Sequence, residues 1–368
     1  LIKILADQNL YKLEQFLPNE VDLSYYNPTN ASPSLNGFDA WLVRTVTKVN
    51  KHTFPKLPLS LKFIGTGSSG SDHLDHAYLS DNQITACDAK GCNALAVAEY
   101  VLTALLVLQE NYEYHFRNKS VGVIGVGAVG SKVAELLTTF GCKVILFDPP
   151  RSVREQDFES ATIEDIKGCD IITLHVPFTE AGSYKTKHII DAQFLAGQSF
   201  DVVINAARGG VTDEKALTKA HKERKIKYLI TDVWENEPHV NHAFVSECDI
   251  STPHIAGYSE QAKLQASSII ADKLCTFFDL QKPIHRSSAT KEIKLADVSY
   301  SLMDLINRCH PILEYDAALR NLANRDDSHE LFAKLRTDHP YRFEYPNIKL
   351  NGINIDNFPE LKLLGVQD

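Results

Sequence analysis

The residues Gly125-Val126-Gly127-Ala128-Val129-Gly130 constrain the fold of this chain more than any other feature, because of what flanks them. They follow the apolar run Val121-Gly122-Val123-Ile124 and open a helical pattern that runs from Ala128 to Phe140. A G-x-G-x-x-G between a strand and a helix is a dinucleotide-binding fingerprint. Gly125 permits the tight turn, Gly127 lets backbone approach a pyrophosphate, and Gly130 lets helix and strand pack closely, with the phosphates at the helix N-terminus. Asp148 ends the next apolar run, eighteen residues beyond Gly130. A carboxylate there accepts hydrogen bonds from ribose hydroxyls and repels a 2′-phosphate, which favours NAD over NADP. Arg151, three residues on, is the one nearby feature that works the other way.

The pattern around the fingerprint is a regular alternation. Strands are predicted at Val121 to Ile124, Lys143 to Phe147, Ile171 to Val176, Val202 to Asn205 and Tyr228 to Asp232, with helices at Ala128 to Phe140 and Asp213 to Lys222. Such alternation means a parallel sheet with right-handed crossovers, covered on both faces. The first ninety residues read as a smaller α/β unit, with strands at Ile2 to Ala6, Val21 to Tyr25, Ala40 to Val43 and Leu61 to Gly65 and a helix near Leu10 to Leu17. A long apolar helix from Asn93 to about Glu110 leads out of it, and a helix from Glu260 to Phe278 leads back.

The expected fold class is therefore α/β: a Rossmann-type doubly wound parallel sheet, a discontinuous flavodoxin-like substrate domain and a small C-terminal α/β module. The boundaries are 1–94 with 259–285 for the substrate domain, 95–258 for the nucleotide-binding domain and 286–368 for the module. Helices are expected in that module near Leu295 to Arg308 and Leu331 to Arg336, with extended runs from Tyr341 to Leu350.

Composition narrows the function. A formal charge of −9 argues against a broad basic face for nucleic acid. The seven cysteines are scattered, odd in number and mostly within apolar runs, which reads as a reducing compartment. Cys87 and Cys92 lack the second pair a zinc site needs, so no metal is expected. With no apparent signal peptide and no run of about 18 apolar residues, no membrane partner is expected and the location reads as cytoplasmic.

Three segments follow predicted strands at the edge where ligands of open α/β sheets bind: Asn205 to Gly210, Asp232 to Pro238 and Thr252 to Tyr258. Arg208 offers a guanidinium fork for a carboxylate, and His254 can exchange a proton near neutral pH. Glu237 would orient and charge the imidazole if the fold brings it to His254. Taken singly, a loop arginine or a glutamate before proline is more often a solvated surface residue than a catalytic one.

Together with the glycine fingerprint, these segments resemble the D-isomer-specific 2-hydroxyacid dehydrogenases over residues 1 to 280. The resemblance implies catalytic roles for Arg208, Glu237 and His254, with His254 as proton donor or acceptor. It places Gly125, Gly127, Ala128, Val129, Gly130, Asp148, His175, Ala206, Ala207, Arg208, Asp232 and Gly257 along NAD, and Thr45, Thr66 and Tyr258 at the substrate. Within the family, Val43 to Thr47, Phe63 to Thr66, Ser71 to Asp75, Gly91 to Ala94 and His254 to Ser259 are similar to the branch that oxidises 4-phospho-D-erythronate in pyridoxine (vitamin B6) biosynthesis. That branch carries a C-terminal extension of this length, which implies a homodimer. Thr45 stands where the family usually shows serine and keeps the hydroxyl, while the Gly67 to Gly70 loop is looser than the pattern.

Arg44 is the first candidate for the substrate phosphate, because it ends a predicted strand beside the substrate loop, with a structural ion pair as the equal alternative. Two other readings keep part of this picture. One is a dehydrogenase for 3-phosphoglycerate, D-lactate or glycerate. The other is an NAD-responsive scaffold resembling the corepressors of the C-terminal-binding protein type.

Overall fold

The structure is a computed structural model that describes residues 1–30, 32–283 and 289–368. Its chain divides into two compact units, Leu1–Asn93 with Ser259–Ala289 and Ala94–Tyr258 with Thr290–Asp368.

The first unit is a five-stranded parallel sheet: β1 (Ile2–Asp7), β2 (Val21–Tyr26), β3 (Ala40–Val43), β4 (Phe63–Thr66) and β5 (Thr85–Asp88), in spatial order β2-β1-β3-β4-β5. This is the flavodoxin-like order. The inner strands are apolar on both faces because both faces are covered. Ile4, Leu42 and Phe63 pack on one side, and Leu5, Trp41 and Ile64 on the other with Leu79 of helix α1 (His76–Asp81). The helix expected over Leu10 to Leu17 is only a 3₁₀ turn, Leu13–Phe16. Lys12 before it sits at φ 49°, a left-handed conformation that cannot continue an α-helix backwards.

The second unit opens with α2 (Ala94–Tyr112), in which every residue from Ala96 to Leu108 is buried. This helix is long and apolar enough to cross a bilayer, contrary to the expectation that no such run exists; here it is a core helix, packed against α3 (Ala128–Thr139) and apolar residues of the C-terminal segment. Beyond it the sheet strands are β6 (Ser120–Ile124), β7 (Lys143–Phe147), β8 (Ile171–Leu174), β9 (Phe200–Asn205), β10 (Ile226–Thr231) and β11 (Ile250–Ser251). The intervening helices are α4 (Pro149–Arg154), α5 (Ile163–Lys167), α6 (Glu214–Lys222) and α7 (His242–Glu247). All pairings are parallel, in the order β11-β10-β9-β8-β6-β7. The chain departs from β6 toward opposite edges of the sheet, so the crevice for a ligand lies at the carboxyl ends of β6 and β8. Helix α8 (Glu260–Phe277), capped by the Ser259 hydroxyl, belongs to the first unit and covers its sheet with Ile270 and Leu274.

The C-terminal segment contains β12 (Lys291–Lys294), α9 (Leu302–Cys309), α10 (Ile312–Arg320), α11 (Ser328–Thr337), β13 (Ile348–Asn351) and α12 (Pro359–Leu363). The helix expected from Leu295 begins only at Leu302, where Ser301 and Asp304 form a reciprocal capping box, and the residues before it pair as β12 with β13. The extended run expected over Tyr341 to Leu350 reduces to β13, preceded by the 3₁₀ turn Tyr345–Asn347. α10 lay outside the sequence expectations.

Two interactions fasten this segment to the nucleotide-binding part of the same unit. Arg342 Nη1 lies 2.5 Å from Glu99 Oε2 in α2, both side chains almost fully buried, and the Tyr345 amide donates to Glu99 Oε1 at 2.9 Å. Tyr345, Ile348, Leu350 and Leu361 join the α2 core, and Phe332 joins the core on the opposite face of the sheet. Each such fully buried side chain stabilises the fold by about 1.5–3 kcal/mol.

Candidate active site

The glycine loop has the geometry a pyrophosphate needs. Gly125 adopts φ +89°, and a Cβ on Gly130 would lie 1.9 Å from the Gly125 carbonyl oxygen, so only glycine allows this approach. A Cβ on Gly127 would meet nothing within 4 Å, which leaves open space over the N-terminus of α3. No side chain caps that terminus, so the first amides of Ala128, Val129 and Gly130 are not committed to a capping oxygen. These features fit the pyrophosphate of NAD.

The adenosine end explains the choice between NAD and NADP. Asp148 Oδ2 accepts from the Val126 amide at 2.8 Å and Oδ1 from the Arg151 amide at 2.9 Å, which aims the carboxylate while leaving lone pairs for ribose hydroxyls. Arg151 is held elsewhere through Nε and Nη1: it donates to the Val126 carbonyl at 2.8 Å, pairs with Glu155 at 2.7 Å and lies over the Phe158 ring. It is therefore not poised to receive a 2′-phosphate.

His175 abuts the same loop, since a Cβ on Gly125 would lie 2.8 Å from the His175 backbone carbonyl. Its Nε2 is 2.9 Å from the Thr173 hydroxyl, and its Nδ1 is buried without a hydrogen-bond partner. Burial pushes the imidazole down to about 3, so the ring is neutral at physiological pH.

The loops after β9, β10 and β11 converge. Oε2 of Glu237 lies 2.7 Å from Nδ1 of His254, and Glu237 Oε1 accepts from the Trp234 amide at 2.9 Å. Burial pushes the Glu237 carboxyl up, but His254, Arg336 and the Trp234 amide together hold it below the usual range. The carboxylate is 17% exposed and the imidazole 30%, so the pair is sheltered while one side of the ring stays open.

His254 is held at φ +57°, a conformation non-glycine residues adopt only when their surroundings enforce it. Asp232 supplies the enforcement. Its Oδ1 accepts from the Thr252 hydroxyl at 2.6 Å and the Ile255 amide at 2.8 Å, and its Oδ2 accepts from the Ala256 amide at 2.9 Å. Asp232 was expected along the cofactor, but its carboxylate is 1% exposed and turned inward, where three donors consume it. Trp234 Nε1 adds a bond to the Thr252 carbonyl at 3.0 Å.

Arg208 projects from the loop after β9, part-exposed, with Nη1 donating to the Ala207 carbonyl at 2.9 Å. Asn205 braces that loop through Oδ1 to the Ala207 amide and Nδ2 to the Thr212 hydroxyl. Gly209 ties it to the Glu237 loop: a Cβ there would lie 1.8 Å from the Trp234 carbonyl oxygen, so the two loops touch backbone to backbone. Ala206 and Gly257 sit part-exposed on the same loops.

In the first unit, Arg44 Nε is 3.3 Å from Asp7 Oδ2, an aspartate with no exposed surface. Thr66 is also fully buried, and its hydroxyl bonds Ser68 at 2.7 Å and His73 at 3.0 Å, so it shapes the loop that follows. Thr45 is exposed. Tyr258 closes the second unit, with the rings of His339 and Tyr341 edge-on to it at 5.9 and 6.3 Å.

One residue at the site was not anticipated. Arg336 of α11 reaches Glu237, with Nη1 3.5 Å from Oε2, and hydrogen-bonds the Tyr258 side chain. No motif marks it in the sequence.

Residues 103–256 match the family model for the NAD-binding domain of D-isomer specific 2-hydroxyacid dehydrogenases. Over 99% of its length the chain is 34% identical to erythronate-4-phosphate dehydrogenase of Photorhabdus laumondii, covering 98% of that protein. It is 36% identical to the enzyme of the same name from Bacteroides thetaiotaomicron, covering 96% of this chain and all of the relative. Among solved structures, D-lactate dehydrogenase from Aquifex aeolicus with NAD and lactic acid superposes with a TM-score of 0.60 at 24% identity, covering 75% of this chain and 95% of that one. NAD-bound 3-phosphoglycerate dehydrogenase from Entamoeba histolytica gives 0.61 at 21%, covering 76% and 95%. These two likenesses concern the fold; the relatives matched end to end establish that the chain belongs to the erythronate-4-phosphate dehydrogenase family of D-isomer-specific 2-hydroxyacid dehydrogenases.

Proposed function

We propose that this chain oxidises 4-phospho-D-erythronate to 2-oxo-3-hydroxy-4-phosphobutanoate with NAD, as a step of pyridoxine biosynthesis. The observation that carries the reading is the Glu237–His254 pair, set on the ligand-binding edge of a chain that matches the family over nearly its whole length.

NAD, when bound, accepts the hydride from C2. Because Glu237 occupies Nδ1 of His254, the other ring nitrogen is left to take the proton of the C2 hydroxyl. Glu237 holds the imidazole in that tautomer and balances the charge it gains. Arg208 binds the substrate carboxylate and stabilises the carbonyl that develops at C2. By the family resemblance Tyr258 contacts substrate from the second unit, Thr45 and Thr66 are the proposed substrate contacts of the first, and Arg44 is the candidate for the phosphate.

The C-terminal segment serves as the dimerisation module in this reading. Seven free cysteines, six of them buried, support a reducing and hence cytoplasmic setting. Comparing turnover on 4-phospho-D-erythronate, 3-phospho-D-glycerate, D-glycerate and D-lactate tests the substrate. Preference for another member of the panel would keep the dehydrogenase and remove the vitamin B6 step. Substitution of Arg44 by Gln should raise KM for the phosphorylated substrate and leave D-erythronate unaffected; an equal loss on both would show that Arg44 serves only its ion pair with Asp7.

A further inference from the structure

The reaction as described uses three loops of the nucleotide-binding sheet, yet the C-terminal segment reaches the same place. α11 is fixed there by its own packing. Phe332 is fully buried in the core that also contains Trp234 and Phe244, Leu331 and Leu335 pack against that core, and the His329 ring stacks on His239, two residues after Glu237, at 4.6 Å. From this anchored helix Arg336 extends to the Glu237 carboxylate and to the Tyr258 side chain, with only 26% of its own side chain exposed. Its Nε is buried without a hydrogen-bond partner, so the position was not shaped to satisfy every donor of the side chain.

We infer that Arg336 is a positioning residue of the active site, clamping the Glu237 carboxylate toward His254 and orienting the Tyr258 phenol toward substrate. This rests on the reading of Glu237 and His254 as the catalytic pair. Glu237 is met from three parts of the chain: it bonds His254 Nδ1 at 2.7 Å, accepts from the Trp234 amide at 2.9 Å and forms an ion pair with Arg336 Nη1 at 3.5 Å. The first two lie on the sheet loops; the third makes the C-terminal segment part of the proton-handling apparatus. A guanidinium suits the task because it stays charged at every working pH and can serve a carboxylate and a phenol from different edges of one plane.

The groups around the pair are Asp232 beneath the His254 loop, Glu214 of α6, the Trp234 amide, Tyr258 and Arg336. Of these Arg336 is the permanent cation, so it favours the unprotonated form of the pair that oxidation requires. Its loss should move the acid limb of kcat/KM to higher pH, and the looser Tyr258 should raise KM.

The test uses the full chain. Arg336→Met should lower kcat for 4-phospho-D-erythronate about 10- to 100-fold, the scale of one lost hydrogen bond to a charged group. NADH affinity, read by fluorescence, should stay within about twofold, because the glycine loop is untouched. Arg336→Lys should recover part of the rate, and added methylguanidinium should partly restore Arg336→Ala. The inference is overturned if Arg336→Met keeps wild-type kcat, KM and pH profile. It is equally overturned if rate, NADH affinity and melting temperature fall together and neither lysine nor guanidinium restores turnover, since that marks a purely structural arginine. His254→Gln, assayed alongside, separates the two claims: full activity in that variant removes the catalytic pair itself, whereas its inactivity beside an unaffected Arg336→Met removes only the role of Arg336.

Discussion

Oε2 of Glu237 stands 2.7 Å from Nδ1 of His254 across seventeen residues of sequence, and both ends of that contact are held by backbone amides. The Trp234 amide fixes the carboxylate. Asp232, through the amides of Ile255 and Ala256, fixes the turn that carries the histidine. An imidazole held this way is oriented before any ligand arrives, which lowers the reorganisation that a proton transfer to it would require.

Glu237→Gln should keep the shape and lose the charge. Turnover should fall by about 10²-fold or more, in the range general base catalysis contributes, with NADH affinity unchanged. Steady-state kinetics and NADH titration on the same preparation check it.

The roles of the second and third glycines of the loop should separate. Gly127→Ala places a methyl in open space, so the melting temperature without cofactor should hold while NADH binding weakens by about tenfold. Gly130→Ala drives a methyl to 1.9 Å from the Gly125 carbonyl oxygen and should lower stability itself, by about 1–3 kcal/mol. Denaturant unfolding with and without NADH distinguishes them.

How much of this was legible in the sequence follows from what is local and what is not. The glycine loop, Asp148 and the order of strands were legible because turn chemistry and apolar periodicity are written in contiguous residues. The inward turn of Asp232 was not, since its three donors come from Thr252, Ile255 and Ala256 and become visible only once β10 and β11 lie side by side. Leu10 to Leu17 has helical spacing but too few residues, and the left-handed Lys12 leaves only a 3₁₀ turn. Arg336 looks like any exposed helix-end arginine until Phe332 is seen to anchor α11. For Arg44 the sequence offers a phosphate ligand or an ion pair alike, and its partner Asp7, thirty-seven residues away, is visible only in the fold because burial of that aspartate is a tertiary property.

His175 carries a pH signature. It is neutral in the folded chain, with its imidazole lowered to about 3, and charged below 6.5 when unfolded. A lowered value means stability that is present above 6.5 and is lost as pH falls toward 3, with a slope of at most about 1.4 kcal/mol per pH unit. His175→Leu should therefore lose less stability than wild type between pH 7 and pH 5, as melting curves in matched buffers would show; identical slopes would contradict it.

Glu99→Gln should destabilise the second unit by about 3–5 kcal/mol, because it leaves the Arg342 guanidinium buried without its counter-charge. Since that pair fastens the C-terminal segment to α2, the variant should also unfold less cooperatively. Chemical denaturation followed by two probes, one in each part, reads this directly.

The central claim is that His254, aimed by Glu237 through Nδ1, takes the C2 hydroxyl proton of 4-phospho-D-erythronate as NAD is reduced. Its most direct test is NADH formation by wild-type protein and His254→Gln on that substrate, with the reverse reaction of the 2-oxoacid run in parallel. The account predicts turnover by wild type in both directions and a loss of about 10²- to 10⁴-fold in the variant, with NADH binding intact. Near wild-type turnover by His254→Gln, or silence of the wild-type protein in both directions, would contradict it.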